Sequence, residues 1–333
     1  MEQKAINISD QLNNQSNEQD EEELSMPPAD NLPDLLNLRS IGNDKYLGTT
    51  YTGWYFDRTF GGVTFSQALI AACRTVEDPS RFLYSAHSNF ISAGKAKDPI
   101  VYKVKRTRDA KTFSNRKVYA TQNGQIILEV LASFQVHRQG VERKLERQFL
   151  PTPRELPEPD SCPSVKNRKQ RFFMDVPGEW RVAEMNAEIP RQKIWFKAEE
   201  TPSLGDGYAE HFGASAFFSD IMLLGTSFLP FLSSEKLSRK QLSSATLCHT
   251  MWFHKPFRAD DWLLFNMECP IANEERALST GQFFNSKGEL VASMAQEGMV
   301  RYDAKTNIPK SEGTSMTTKS TTQEGVKNTH AKL

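Results

Sequence analysis

The chain has 333 residues, and 41 Lys and Arg balance 41 Asp and Glu, so its formal net charge is zero. No global field draws it to nucleic acid or to an anionic membrane. With 38% hydrophobic residues, 21 Phe and 5 Trp, it has the material for a sizeable core and the length for two domains or one duplicated unit.

The four cysteines, Cys73, Cys162, Cys248 and Cys269, show no Cys-x-x-Cys spacing. That disfavours a disulfide framework or a zinc site and suits a reducing compartment. No apolar run approaches the length of a membrane span, and the N-terminus carries no secretory apolar segment. A soluble intracellular protein is the expectation.

In chain order, residues 1–32 are rich in Asn, Gln, Glu and Asp, with the run Asp20-Glu21-Glu22-Glu23 and the pair Pro27-Pro28. They predict a disordered acidic arm. A first repeat is expected over 33–138. In it Phe60-Gly61-Gly62 precedes a helical pattern (Gln67 to Cys73) that ends before Pro79. Strand-like runs follow at His87–Phe90, Pro99–Val104 and Arg116–Thr121, then an Asn123-Gly124 hairpin turn and the strand Ile126–Val136. Residues 139–178, Pro-rich and charged, predict a linker with at most short helical pieces.

A second repeat, over 179–302, copies the first. Phe212-Gly213-Ala214 precedes a helical pattern through Leu224. Strand-like runs follow at His249–Phe253, Trp262–Phe265 and Leu278–Phe284, then a Lys287-Gly288 turn and Leu290–Met299. An offset of 162 residues separates His87 from His249, and 164 separates Gly124 from Gly288. One helix followed by a meander of strands, given twice, is an α+β chain with internal duplication. Residues 303–333 predict a disordered tail.

Three polar residues break otherwise apolar patterns. Asp220 sits in Phe217–Leu224, Thr246 in the alternating run from Ala245, and Gln296 in Leu290–Met299. A buried carboxylate is costly without a purpose. Where a reaction uses water, the water must be activated and held in place, and any oxyanion formed must be supported. A carboxylate in apolar surroundings can orient or deprotonate that water, and neutral Thr and Gln groups can fix it without a metal. Backbone N–H groups at a helix start would support the oxyanion. Pattern alone leaves plainer readings open: Asp220 on the polar stripe of a helix, an ordinary strand threonine, a satisfied core amide.

The scattered segments together resemble the acyl-CoA thioesterase II family. They are Phe60-Gly61-Gly62…Gln67-Ala68-Leu69, His87-Ser88-x-Phe90, Arg108-Asp109-x-x-x-Phe113-Ser114-x-Arg116, Gln122-Asn123-Gly124 and Ala132-Ser133-Phe134-Gln135. In the second half they are Ser219-Asp220, Trp252-Phe253-His254-x-Pro256-Phe257, Asp261-Trp262-Leu263-Leu264, Gly288-x-Leu290-Val291-Ala292-Ser293 and Gln296-Glu297-Gly298.

The resemblance implies a double hotdog, in which each repeat lays a helix across an antiparallel sheet, and hydrolysis of fatty acyl-CoA to free acid and CoA. It implies self-association, no cofactor beyond the CoA that is part of substrate and product, and no metal. The family's catalytic groups fall on Asp220, Thr246 and Gln296. The sequence departs from the family at Val63, where relatives often have Gln, and at Cys248, where they often have Asp. The alternatives are a hotdog enoyl-CoA hydratase, which would need a His partner for Asp220, or a non-catalytic acyl-CoA-binding relative.

His87 and His249 occupy equivalent repeat positions in this reading, which favours structural roles at strand starts. No Gly-x-Ser-x-Gly elbow and no His pair with metal spacing is present. Arg58, Arg106, Arg108 and Arg116 could meet CoA phosphates. Arg116, in a family motif, joins Gly62 and Val63 as the expected substrate or CoA contacts. The last residues, Ala331-Lys332-Leu333, are a variant of the Ser-Lys-Leu peroxisomal address. They predict an import receptor as partner and a peroxisomal location, with a cytosolic pool.

Overall fold

The computed structural model describes residues 26–51, 57–136, 147–153, 157–165, 177–198, 204–233, 237 and 241–302. The acidic run Asp20–Glu23 and the terminal Ala331-Lys332-Leu333 lie outside the described residues.

Long alternating strands give each half a sheet with one apolar side, and a helix covers that side. The first half holds helices α1 (Leu32–Leu36) and α2 (Gly61–Arg74). Its strands are β1 (Arg39–Ser40), β2 (Lys45–Gly48), β3 (Arg81–Phe90), β4 (Ile100–Asp109), β5 (Phe113–Gln122) and β6 (Gln125–Val136). The second half has strands β7 (Glu179–Asn186), β8 (Arg191–Lys197), β9 (Leu242–Phe253), β10 (Leu263–Asn273), β11 (Arg276–Asn285) and β12 (Leu290–Tyr302). Its helices are α3 (Tyr208–Met222), a 3₁₀ turn (Leu224–Phe228) and α4 (Leu229–Ser233).

The strands form one 12-stranded sheet in the order β1-β2-β4-β5-β6-β3-β9-β12-β11-β10-β8-β7. Outward from the central β3–β9 seam the two halves are mirror images in strand order. The seam is antiparallel and pairs Ser88 with His249 and His87 with Thr250. The expected duplication is therefore present, as a double hotdog.

Helices α2 and α3 lie side by side in opposite directions on the same face of the sheet. A Cβ on Gly62, at the start of α2, would stand 2.9 Å from Phe217 O near the end of α3 and 2.5 Å from Phe60 Cε1. Only glycine permits this approach. Beneath α3, Trp180 stacks on Phe196 at 5.3 Å between centroids, and Phe218 meets the Trp180 ring edge-on at 5.4 Å. Each fully buried ring of this kind stabilises by about 1.5–3 kcal/mol.

Three expectations change. The packed chain starts before residue 33, because Ala29 is buried and Thr49 Oγ1 donates to Pro27 O at 2.6 Å. Described parts of the expected linker belong to the second half: Leu290 N–H donates to Gln148 Oε1, Thr152 Oγ1 to Gly288 O, and Trp195 Nε1 to Pro157 O. The 26-residue stretch Tyr208–Ser233 is long and apolar enough by composition to cross a membrane. Here it is apolar because α3 packs on the sheet and alongside α2, with Phe212, Phe217 and Phe218 buried.

Gly62→Val should lower stability by about 1–3 kcal/mol through overpacking at the α2–α3 contact. Calorimetry should show a melting temperature reduced by roughly 3–10 °C. A midpoint within one degree of wild type would contradict the described approach of the helices.

Candidate active site

The site is made by an irregularity in β9. Across the β9–β12 ladder Gln296 pairs with His249 and Glu297 with Cys248, but Gly298 pairs with Thr246, so Leu247 is the extra residue of a bulge. In a regular strand, residues three apart face opposite sides. The bulge turns Thr246 to the same helix-facing side as His249. Asp220, in the last turn of α3, comes down between them and Gln296.

The Gln296 side-chain amide organises the group. Its Nε2 donates to Asp220 Oδ1 in a short hydrogen bond and to Thr246 Oγ1 at 2.8 Å. Thr246 Oγ1 donates to the same carboxylate oxygen at 3.3 Å. Asp220 Oδ1 is thereby occupied. The other oxygen, Oδ2, faces Gly61 in the first half: a Cβ there would lie 2.8 Å from it. The carboxylate thus looks across the interface of the halves at the N-terminus of α2. The N–H groups of Val63 and Thr64 turn back to Phe60 O. Those of Gly61 and Gly62 head the helix, where backbone donors lack helical partners and the dipole is positive.

Sequence reasoning missed His249. Its Nδ1 stands 3.7 Å from Asp220 Oδ1, its Nε2 is 3.2 Å from Ser219 Oγ, and its ring lies against Phe65 at 5.2 Å. It is wholly buried, in mid-strand, whereas His87 is exposed and meets Thr250 and Trp252 on the opposite face. The two histidines are not equivalent. Strand β3 carries its own bulge between Leu83 and Ser85. Aligning the two bulges and their inward faces matches Leu83 to Thr246 and Ala86 to His249, so His87 corresponds to Thr250. A one-residue slip reverses the face of every side chain.

With that correction the first half has no second copy of the site. Ala86 pairs with Ala132 as His249 pairs with Gln296. Counting from the two Phe-Gly pairs, Ala68 stands where Asp220 does. Ala68, Leu83, Ala86 and Ala132 are all buried apolar residues. The duplicated position is filled by core.

The expected CoA contacts fare less well. Arg116 is 2% exposed, and its guanidinium bonds Thr75 Oγ1 and O, Arg108 O, Asn115 O and Asp109 Oδ1. It pins the end of α2 to the sheet and has nothing left for a phosphate. Arg106 is engaged by Asp44 and Glu77, each at 2.8 Å. The Val63 side chain is in the core. Gly62 remains at the helix start beside the carboxylate. Cys248, paired with Glu297 and Asn89, faces away from Thr246, so its departure from the family pattern lies outside the site.

Arg116→Met should therefore behave as a stability variant. Leaving several buried carbonyls unpaired costs about 3 kcal/mol or more. Thermal unfolding should show that loss, while KM of the folded protein for an acyl-CoA stays within about twofold. A large rise in KM at unchanged stability would return Arg116 to the CoA site.

Two family models match the chain: the acyl-CoA thioesterase N-terminal domain over residues 51–135 and the acyl-CoA thioesterase C-terminal domain over 148–300. Acyl-coenzyme A thioesterase 8 of Mus musculus is 34% identical over 290 residues, covering 80% of this chain and 88% of that protein. Peroxisomal acyl-coenzyme A thioester hydrolase 1 of Saccharomyces cerevisiae is 24% identical over 315 residues, covering 75% and 88%. The crystal structure of an acyl-CoA thioesterase II from Mycobacterium marinum superposes with a TM-score of 0.68 at 34% identity, covering 82% of this chain and 99% of that one. Fold, paired domains and identity over most of the length agree: the chain belongs to the acyl-CoA thioesterase II family and is a thioester hydrolase acting on acyl-CoA.

Proposed function

We propose that the chain hydrolyses fatty acyl-CoA using water activated by Asp220 and positioned with the help of Thr246 and Gln296. The observation that carries this reading is the division of labour on one carboxylate. Oδ1 is held by Gln296 and Thr246, while Oδ2 is turned to the start of α2. In the proposed cycle Oδ2 takes a proton from water as the water oxygen bonds the thioester carbon. The N–H groups of Gly61 and Gly62 support the resulting oxyanion. Collapse breaks the C–S bond, and the departing CoA sulfur receives the proton from Asp220.

A nearby cavity supports a place for the acyl chain. A cavity of about 490 Å³ is lined, among the described residues, by Phe231, Leu237, Leu242, Val300 and Tyr302. Thr246, Ser244 and Leu242 succeed one another on one face of β9, as Gly298, Val300 and Tyr302 do on β12. Four residues of strand, roughly 13 Å, separate the trio from the cavity's outer residues. That distance and apolar lining suit a fatty chain.

The hydratase reading gains one observation, the nearness of His249 to Asp220. It loses more, because the imidazole is wholly enclosed by Phe65 and Ser219 and cannot reach an acyl chain. A peroxisomal place for this hydrolysis is supported by the Ala331-Lys332-Leu333 ending, which an import receptor would read, and by the yeast relative's name. Self-association is supported by the exposed Leu131, Leu247, Trp252 and Leu278 on the face of the sheet away from the helices.

Free thiol release from a panel of acyl-CoAs tests the chemistry. Asp220→Asn should lower kcat by about 10²–10⁴ with the fold retained by circular dichroism. Thr246→Ala and Gln296→Ala should each cost less. An active Asp220→Asn would remove the carboxylate from the mechanism. Binding without turnover in wild type would instead mark a non-catalytic relative. In the same assay Val300→Trp should shift preference to shorter acyl chains while short-chain turnover stays near wild type. An unchanged chain-length profile would place the acyl group elsewhere.

A further inference from the structure

A row of polar side chains crosses the second half of the sheet on its helix-facing side, behind the Asp220 carboxylate. His249 on β9 and Gln296 on β12 are cross-strand partners, and Gln296 is partnered in turn by Ser279 on β11. Cys269 stands in the β10 bulge beside Ser279, with its thiol on Ile271 O. Gln192 on β8 lies opposite Met267, two residues further along the strands than the level of Ser279, and donates through Nε2 to Thr226 Oγ1 at 2.8 Å. The surrounding sheet face is apolar, built from Phe265, Met267, Ala277, Phe283 and Met294. Five residues of this polarity on consecutive strands are not required for packing.

Their bonding is incomplete in a systematic way. Among the described residues, the buried side-chain polar atoms without a protein partner are Thr59 Oγ1, Gln192 Oε1, His249 Nδ1, Ser279 Oγ and Gln296 Oε1. His249, Gln296 and Ser279 lie on this row, with Gln192 beside it, and the Ser279 hydroxyl has only the weakly bonding Cys269 thiol as a neighbour. Gln192, His249, Ser279 and Gln296 are each at most 2% exposed, so bulk solvent does not serve them. Buried polar atoms are nearly always satisfied, and internal water is the agent when protein is not. Neighbouring strands stand ~4.8 Å apart, so Gln296 on β12 and Ser279 on β11 are at a separation one bridging water can span, whereas β10 lies between Ser279 and Gln192 and more than one water is needed there.

We propose that this row is a water file that supplies the hydrolytic site from behind, with Gln296, Ser279 and Gln192 as its successive stations. The proposal rests on the reading of Asp220 as the base. Each turnover consumes one water at Asp220. Substrate reaches that carboxylate from the side of Gly61 and the start of α2, and an acyl-CoA seated there covers the approach from solvent. The file delivers replacement water under the 3₁₀ turn Leu224–Phe228, on the opposite side of the carboxylate. Ser279 and Gln192 touch no reacting atom; they are positioning residues acting through water.

Crystals of the wild-type protein at about 1.5 Å resolution test the file without a variant. Ordered water should lie within hydrogen-bond distance, about 3.2 Å, of Ser279 Oγ, Gln192 Oε1 and Gln296 Oε1. Density showing these atoms paired to protein instead, with no water along the row, overturns it. Kinetics give a second reading. Ser279→Val, which removes the hydroxyl at similar volume, should lower kcat roughly tenfold at unchanged KM, and Ser279→Thr should restore it. Ser279→Ala replaces the valine variant if circular dichroism shows that it does not fold. Wild-type kcat in the folded variant, or a loss confined to KM, overturns the supply role even if water is seen. Failure of the underlying reading would look different: Asp220→Asn would stay active, whatever occupies the row.

Discussion

The close contact between helices α2 and α3, made possible by Gly62, is the constraint on which the site depends. Asp220 belongs to the second half, and the helix start that its free oxygen faces belongs to the first. Neither half alone contains both this carboxylate and the helix start that it faces. The sheet seam fixes the halves in the plane, and the helix contact sets the third dimension. A side chain at position 62 would push the helices apart and separate the Asp220 carboxylate from Gly61.

The Gln296 amide does the local work. By donating to both Asp220 and Thr246 it leaves the carboxylate with one oxygen held and one available. Such an arrangement is expensive in a core, and the first half shows the unburdened version of the same position. There Ala68, Leu83, Ala86 and Ala132 pack without a polar atom among their side chains. One copy carries the polar cluster while its twin supplies packing, a division consistent with the usual tension between stability and activity.

Much of this was legible in the sequence. The paired Phe-Gly segments and the meanders after them announced the duplication, and Asp220, Thr246 and Gln296 stood out because each interrupts an apolar run. What escaped was set by tertiary geometry. The bulge at Leu247 is invisible to a period-two pattern, so Thr246 and His249 read as opposite-facing although they share a face. The same blindness made His87 look like the twin of His249. Arg116 looked like a phosphate ligand because sequence does not show that the end of α2 would fold its carbonyls around the guanidinium. The flanking strands β1 and β2, two and four residues long, carry too few residues for a periodic signal, and β7 and β8, though longer, directly follow a segment that reads as linker.

The β3–β9 seam has a consequence for how the chain comes off the ribosome. β3 is an interior strand in the finished sheet, yet its partner β9 is encoded about 160 residues later. At 5–20 residues per second, roughly 10–30 s pass between the two. During that interval β3 is the open edge of a half-built sheet, with unpaired backbone groups in a row. The pairing that completes the enzyme is also among its least local contacts, which makes its closure a slow step of folding. A nascent chain with an exposed edge is one that chaperones must shield from its neighbours on the same message.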